Sequence, residues 1–150
     1  MKKIVGIASI LFLLDQIFKY VFLTTLDFGE TISIIPQFFS FTLVKNTGVA
    51  FSLFAGLQIP IILLSILVMV VLYLFWIPKQ ILTTWNIISF GFLYGGIFGN
   101  LWDRIFRVGV IDYLDFTIFG YDAPIFNLAD ICVVLGALIL FMLMWKEEKR

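Results

Sequence analysis

Histidine is absent from the 150 residues. Its absence removes Ser-His and Cys-His nucleophilic mechanisms, imidazole metal sites and the usual near-neutral proton shuttle. Acid–base chemistry is left to carboxylates, lysine, tyrosine or water. Cysteine occurs once, as Cys132 inside an apolar run, so no intrachain disulfide can form and a thiolate there would be poorly stabilised. Charge is scarce and balanced, ten Lys plus Arg against ten Asp plus Glu. Nothing therefore makes the basic face that a nucleic-acid partner requires. There is no internal repeat, low-complexity tract or linker, which implies one domain over residues 1–150, and the paired inverted halves of many transporters are not visible.

What the chain has instead is apolar length. Hydrophobic residues make up 62% of it and the mean hydropathy is +1.10, well above an ordinary soluble domain. A hydrocarbon core of about 30 Å needs roughly 20 apolar residues in a helix. Four segments meet or approach that length, at about 4–26, 59–77, 81–101 and 128–145. The first follows Met1-Lys2-Lys3, as a signal peptide would, but runs on past Asp15 with no small-x-small cleavage site, and reads as a retained span. Lys2, Lys3, Lys79, Lys146, Lys149 and Arg150 mark the termini and the connection between spans two and three as cytoplasmic by the positive-inside rule. The two longer connections, 27–58 and 102–127, then face outward. In the first, Thr31-Ile32-Ser33-Ile34 alternates as a strand does, and Phe38, Phe39 and Phe41 suit a segment resting on the membrane interface. The expected fold class is an all-α membrane protein, four transmembrane helices with a small extracytoplasmic β/loop platform.

Ionisable groups inside a span each cost about 2.5–3.5 kcal/mol on insertion scales, so each needs a partner or a purpose. Asp15 and Lys19 stand four residues apart on one helix face and can neutralise each other as a structural ion pair. Asn127-Leu128-Ala129-Asp130 opens the last span after Pro124. Asn127 can cap that helix and Asp130 falls in its first turn, where the helix dipole stabilises a carboxylate. Capping alone would explain the motif, yet Asp130 lies at the outer boundary and Asp112 comes from the adjoining outer connection. The apolar flanks Val110-Ile111 and Tyr113-Leu114 predict a buried or interfacial strand around Asp112. Two carboxylates forced together in a low dielectric share one proton. One can then activate water while the other protonates a substrate carbonyl, chemistry that needs no histidine, serine, metal or cofactor. Asn46-Thr47-Gly48-Val49-Ala50-Phe51-Ser52 is the remaining dense motif; Gly48 permits a tight turn and the Asn46 amide can hold a strand.

Taken in order, Asp15-Gln16-Ile17-Phe18-Lys19, Asn46 through Ser52, Gly95-Gly96-Ile97-Phe98-Gly99-Asn100-Leu101-Trp102-Asp103-Arg104, Gly109-Val110-Ile111-Asp112-Tyr113 and Phe126-Asn127-Leu128-Ala129-Asp130 resemble the lipoprotein signal peptidases, the type II signal peptidases of bacteria. The likeness covers essentially the whole chain. Val49 stands where the family often has alanine and Tyr113 where it often has phenylalanine. The resemblance implies an aspartyl endopeptidase of the inner membrane, with cytoplasmic termini and its active site at the outer face, that cuts diacylglyceryl-modified prolipoproteins just before the lipidated cysteine. It places the catalytic dyad on Asp112 and Asp130, with Asn46, Asn100, Arg104 and Asn127 holding substrate or shaping the site. Asp15 and Lys19 match a mainly structural pair. The partners it implies are prolipoprotein substrates, membrane lipids and cyclic peptide inhibitors of the globomycin type.

Three other readings compete. Ser52 with Lys45 as its base would make a different hydrolase. A proton-coupled carrier would line a path with midplane carboxylates, whereas here only Asp15 sits near the middle. A scaffold without catalysis would leave every aspartate a capping or pairing residue.

Overall fold

The structure is a computed structural model and describes residues 1–48, 56–79 and 83–148. Helix α1 (Lys2–Thr25) leads into strands β1 (Thr31–Ile35) and β2 (Phe39–Asn46). Helix α2 (Gln58–Val71) continues through a π-helical turn, Leu72–Trp76, and a 3-10 turn, Ile77–Lys79. Helix α3 (Thr84–Phe106), strands β3 (Val110–Ile118) and β4 (Tyr121–Asp122), and helix α4 (Leu128–Glu148) complete the chain.

Three helical stretches, Lys2–Thr25, Gln58–Trp76 and Leu128–Lys146, are long and apolar enough to cross a membrane. Their exposed surface is dominated by residues such as Ile10, Leu64 and Phe141, the outward face of a protein whose solvent is lipid. Helix α3 has the length but a more polar sequence, for a reason its packing supplies. It is the central helix, against which α1, α2 and α4 all pack. Asn86, Ser89, Asn100 and Asp103 are accordingly buried in protein, where polar groups in a membrane protein find partners. Thr83 caps its start by accepting from the Asn86 amide nitrogen at 3.3 Å, satisfying one of the free N–H groups of a first turn. The close approach of the helices depends on glycine. A Cβ on Gly96 would run into the Ala129 carbonyl oxygen, and one on Gly99 would stand 2.7 Å from Asp15 Oδ2. Small residues at such crossings let helix backbones touch.

The all-α description is corrected by the sheet. Strands β1 to β4 form one antiparallel sheet in the order β1-β2-β3-β4. Sequence alternation confines the strand signal to short runs, but long-range pairing extends it: Val44 lies opposite Asp112 and Asn46 opposite Val110. The sheet sits on the end of α1 through a cluster of Leu26, Leu43 and Ile111, with Phe22 packed against it. Phe22 stacks on Tyr113 at 4.2 Å between ring centroids. A second apolar cluster, Ile4, Leu72, Ile77, Phe90, Leu93 and Leu140, joins the helices at the opposite end. Helix α3 runs five residues beyond the expected end of its span, so Asp103 and Arg104 are helical and the connection from α3 to α4 is shorter than the sequence suggests.

Candidate active site

Five elements meet where the sheet joins the C-terminal end of α3 and the start of α4. Strand β2 brings Asn46, α3 brings Asn100 and Arg104, β3 brings Asp112, and the start of α4 brings Asn127 and Asp130. Helix α1 supplies Asp15 and Lys19 from one side.

Asn127 bridges the two carboxylates. Its Nδ2 donates to Asp112 Oδ1 at 2.6 Å, and its backbone N–H donates to Asp130 Oδ2 at 3.1 Å. In return its Oδ1 accepts from the Asp130 N–H at 3.0 Å, the reciprocal arrangement of a capping box. Asp112 also accepts from Asn46 Nδ2 at 3.1 Å, and Asp130 accepts from Asn100 Nδ2 at 2.7 Å. Each of the three amides is oriented by a donor on its oxygen: the Gly48 N–H on Asn46, Lys19 Nζ on Asn100, and the Asp130 N–H on Asn127. With the oxygens engaged, the NH2 groups are left to face the carboxylates.

Asp112 is 2% exposed. Burial, and after it the nearby charge of Asp130, pushes its carboxyl up to about 7, while hydrogen bonds from Asn46 and Asn127 pull it back. A carboxyl at that value holds or releases a proton near neutrality, as a general acid or base must. Arg104 lends positive charge to the same space. It donates to the Gly48 carbonyl at 3.0 Å and the Asn100 carbonyl at 3.2 Å, while its buried Nε finds no acceptor among the described residues.

Beneath the carboxylates lies a buried ionic network. Lys19, wholly buried, directs its three N–H donors to Asp15 Oδ2 at 2.8 Å, Asp103 Oδ2 at 2.7 Å and Asn100 Oδ1 at 3.0 Å. Asp103 also pairs with Arg107 and accepts from the Ile111 N–H at 3.2 Å. Asp15 Oδ1 accepts from the Ala129 N–H at 3.1 Å. Two anions and two cations thus balance, and they tie α1, α3, β3 and the first turn of α4 to one another.

These distances coincide with a family assignment over nearly the whole chain. Residues 7–146 match the family described as Signal peptidase (SPase) II. The chain belongs to the signal peptidase II family. It is 31% identical over 144 residues to lipoprotein signal peptidases of Staphylococcus aureus, strains JH9 and Newman among them, covering 96% of this chain and 88% of those proteins. Its fold is similar to a bacterial membrane enzyme solved by the in meso method at 2.3 Å, with a TM-score of 0.90, 29% identity, and coverage of 99% of this chain and 90% of that one. A second such structure, at 1.9 Å, gives a TM-score of 0.85 at 29% identity, over 96% and 93%. Family and apolar helices together make this a membrane protease of lipoprotein processing.

Two features of the site escape the sequence reading. Composition places Asp103 in an outer loop, although Asn100, Asp103, Arg104 and Arg107 recur at helical spacing and could have been placed on one face. Gln16, which donates to Asp15 Oδ2 at 3.0 Å and accepts from Arg107 at 2.7 Å, carries no signal of its own. Val49, Ala50, Phe51 and Ser52 lie outside the described residues, and with them the serine of the Ser52–Lys45 alternative. Lys45 itself is exposed on β2.

Proposed function

We propose that this protein is an aspartyl endopeptidase that removes the signal peptide from diacylglyceryl-modified prolipoproteins, with Asp112 and Asp130 as its dyad. The observation that carries the reading is the bridging of both carboxylates by Asn127, one through the side chain and one through the backbone. Such a bridge holds two acidic groups within reach of one substrate bond.

The environments divide the labour. Asp112, held up to about 7 by burial, is the protonated partner. Asp130 stands in the first turn of α4, where the helix dipole favours the carboxylate. Asp130 takes a proton from water, and the hydroxide adds to the scissile carbonyl carbon while Asp112 gives its proton to the carbonyl oxygen. Collapse of the tetrahedral adduct breaks the C–N bond. The proton gained by Asp130 passes to the departing nitrogen, and the carbonyl oxygen returns a proton to Asp112. A free carboxyl on the signal peptide and an amine on the lipidated cysteine result. The Nε of Arg104, without an acceptor among the described residues, offers a donor to substrate carbonyls, Asn46, Asn100 and Asn127 fix the carboxylates, and Asp15 with Lys19 braces the helices.

The whole chain acts as one domain with four spans, α3 included, in the bacterial inner membrane. Both termini are cytoplasmic and the carboxylates stand at the outer face. That depth suits a substrate whose acyl chains hold the cut site at the membrane surface, and cyclic peptides of the globomycin type would compete for the same space. The test is cleavage of a diacylglyceryl-modified prolipoprotein by purified protein, parent against Asp112→Asn and Asp130→Asn. Loss of about 10²–10⁴-fold in folded variants is expected; cutting at the parental rate by either variant would overturn the dyad.

A further inference from the structure

At the end of the bundle remote from the carboxylates, α2 leans on α3 and leaves a groove between itself and α1. The cavity is about 270 Å³ and its walls are almost wholly apolar, formed by residues that include Val5, Ser9, Phe12, Tyr73, Tyr94 and Phe98. None of these takes part in the site described above. An apolar cavity of about 150 Å³ is already enough to hold a benzene ring and stay dry, so this one has room for alkyl chain and no reason to hold water.

Three features of the groove select its occupant. The first is depth. Lys2, Val5, Ser9 and Phe12 follow one stripe of α1, and ten residues of helix advance about 15 Å. That is half of a hydrocarbon core of about 30 Å, the depth of a single leaflet. The groove ends where Phe12 meets Phe98 at 4.9 Å and Trp102 at 5.7 Å between ring centroids. The second is charge. Lys2 and Lys3, both exposed, stand at its open end beside Met1, which lines it. The third is the build of α2. Its π-helical turn, Leu72–Trp76, carries Tyr73 into the wall, and the Tyr94 hydroxyl donates to the Met69 carbonyl at 2.7 Å just before that turn. Such bulges widen a helix and occur often at functional sites.

We propose that this groove is a binding site for an anionic phospholipid, with one acyl chain between α1 and α2 and the headgroup phosphate on Lys2 and Lys3. A lipid there fills the space that α2 leaves open and props α2 against the rest of the bundle. A substrate's apolar signal segment is the competing occupant.

The test uses the full protein, stripped of lipid in detergent and offered phosphatidylglycerol or phosphatidylcholine with identical acyl chains. Native mass spectrometry and thermal unfolding read retention. Phosphatidylglycerol is expected to bind more tightly by roughly fivefold for each lysine, and Lys2→Gln to remove one such factor. Ser9→Trp, at an exposed helix position that faces the groove, is expected to abolish retention of both lipids while prolipoprotein cleavage continues; Ser9→Ala keeps it. A phosphatidylglycerol carrying a photoreactive acyl chain should label peptides containing Tyr73 or Phe98, a reading that stands even if Ser9→Trp does not fold. Equal affinity for the two lipids, unchanged retention in folded Ser9→Trp, labelling elsewhere, or labelling of those peptides by a photoreactive signal segment in place of the lipid would each overturn the proposal.

Discussion

Replacing Asp112 by asparagine should make the protein more stable at neutral pH while it removes activity. In the parent the carboxyl is raised from 3.8 to about 7, so between those values the folded chain binds a proton that the unfolded chain has released. Stability therefore falls as pH rises across that window, by about 4 kcal/mol in all. It is level below about pH 4 and again above about pH 7. The asparagine of the Asp112→Asn variant does not titrate, so the variant lacks this slope. It does lose one good contact. Asp112 accepts two NH2 donors, from Asn127 at 2.6 Å and Asn46 at 3.1 Å, and an amide can accept only one of them on its single oxygen. That loss costs about 1 kcal/mol. The variant should thus be weaker than the parent by about 0.5 kcal/mol at pH 4, cross it at about pH 4.5, and exceed it by about 3 kcal/mol at pH 8. Equilibrium unfolding in mixed detergent, measured on both proteins from about pH 4 to pH 8, reads the difference directly. Parallel curves would refute the reasoning, because they would mean that Asp112 keeps an ordinary carboxyl in the folded state.

The same proton sets the activity profile: kcat/KM should decline as pH rises through about 7, approaching a tenfold loss per further pH step in a stopped assay with prolipoprotein, and a profile flat to about pH 9 would sink the role given to Asp112. Gly99→Ala places a methyl 2.7 Å from Asp15 Oδ2 and should destabilise the protein by about 1–3 kcal/mol in the same unfolding assay. Tyr113→Phe removes the hydroxyl that accepts from the Leu128 N–H at 3.3 Å. About 1 kcal/mol of stability should go with cleavage retained, and a dead but folded variant would give Tyr113 a part in the chemistry that its hydrogen bond to the start of α4 does not suggest.

What the sequence shows unaided is local. The apolar runs of α1, α2 and α4 announce themselves because lipid demands uninterrupted length. Asp15 and Lys19 are four apart on one helix, a spacing that itself brings opposite charges together, and Asn127 with Asp130 has the spacing of a cap. The sheet is only partly legible. Thr31-Ile32-Ser33-Ile34 alternates, and so does Phe39-Ser40-Phe41-Thr42-Leu43, but Val44 breaks the period beside an irregularity in the pairing with β3, and three phenylalanines within residues 38–41 also suit a segment lying on the membrane interface. Pairing partners more than sixty residues apart, such as Val44 and Asp112, leave no periodic trace at all. The end of α3 is hidden for a related reason. Trp102-Asp103-Arg104 looks like the start of a wet loop by composition, yet Asp103 is fully buried because Lys19 and Arg107 neutralise it. Hydropathy averages over a helix and cannot see that its polar side faces protein.

Asp103 changes what Lys19 must be. Viewed as the partner of Asp15 alone, Lys19 would be a local ion pair, and its removal would leave one orphaned carboxylate. In the structure its ammonium is saturated by two carboxylates and by the oxygen of Asn100. Lys19→Met should therefore cost about 3–5 kcal/mol, the penalty of leaving buried charge unpaired. It should also reach the site, since Lys19 fixes which end of the Asn100 amide faces Asp130. Asn127 Nδ2 also donates to the Asn100 oxygen, at 3.1 Å, but with Lys19 gone it is the one donor left there among the described residues. An amide that turned would face Asp130 with its oxygen and repel the carboxylate to which the proposed mechanism gives the proton from water. Two measurements separate the effects. If Lys19 only braces the helices, then adding Asn100→Ala to Lys19→Met should lower kcat by the same factor that Asn100→Ala does alone in the parent. If Lys19 acts through Asn100, the second substitution should add little to the first, and the coupling in the double-mutant cycle should be large. Additive losses would return Lys19 to a purely structural role.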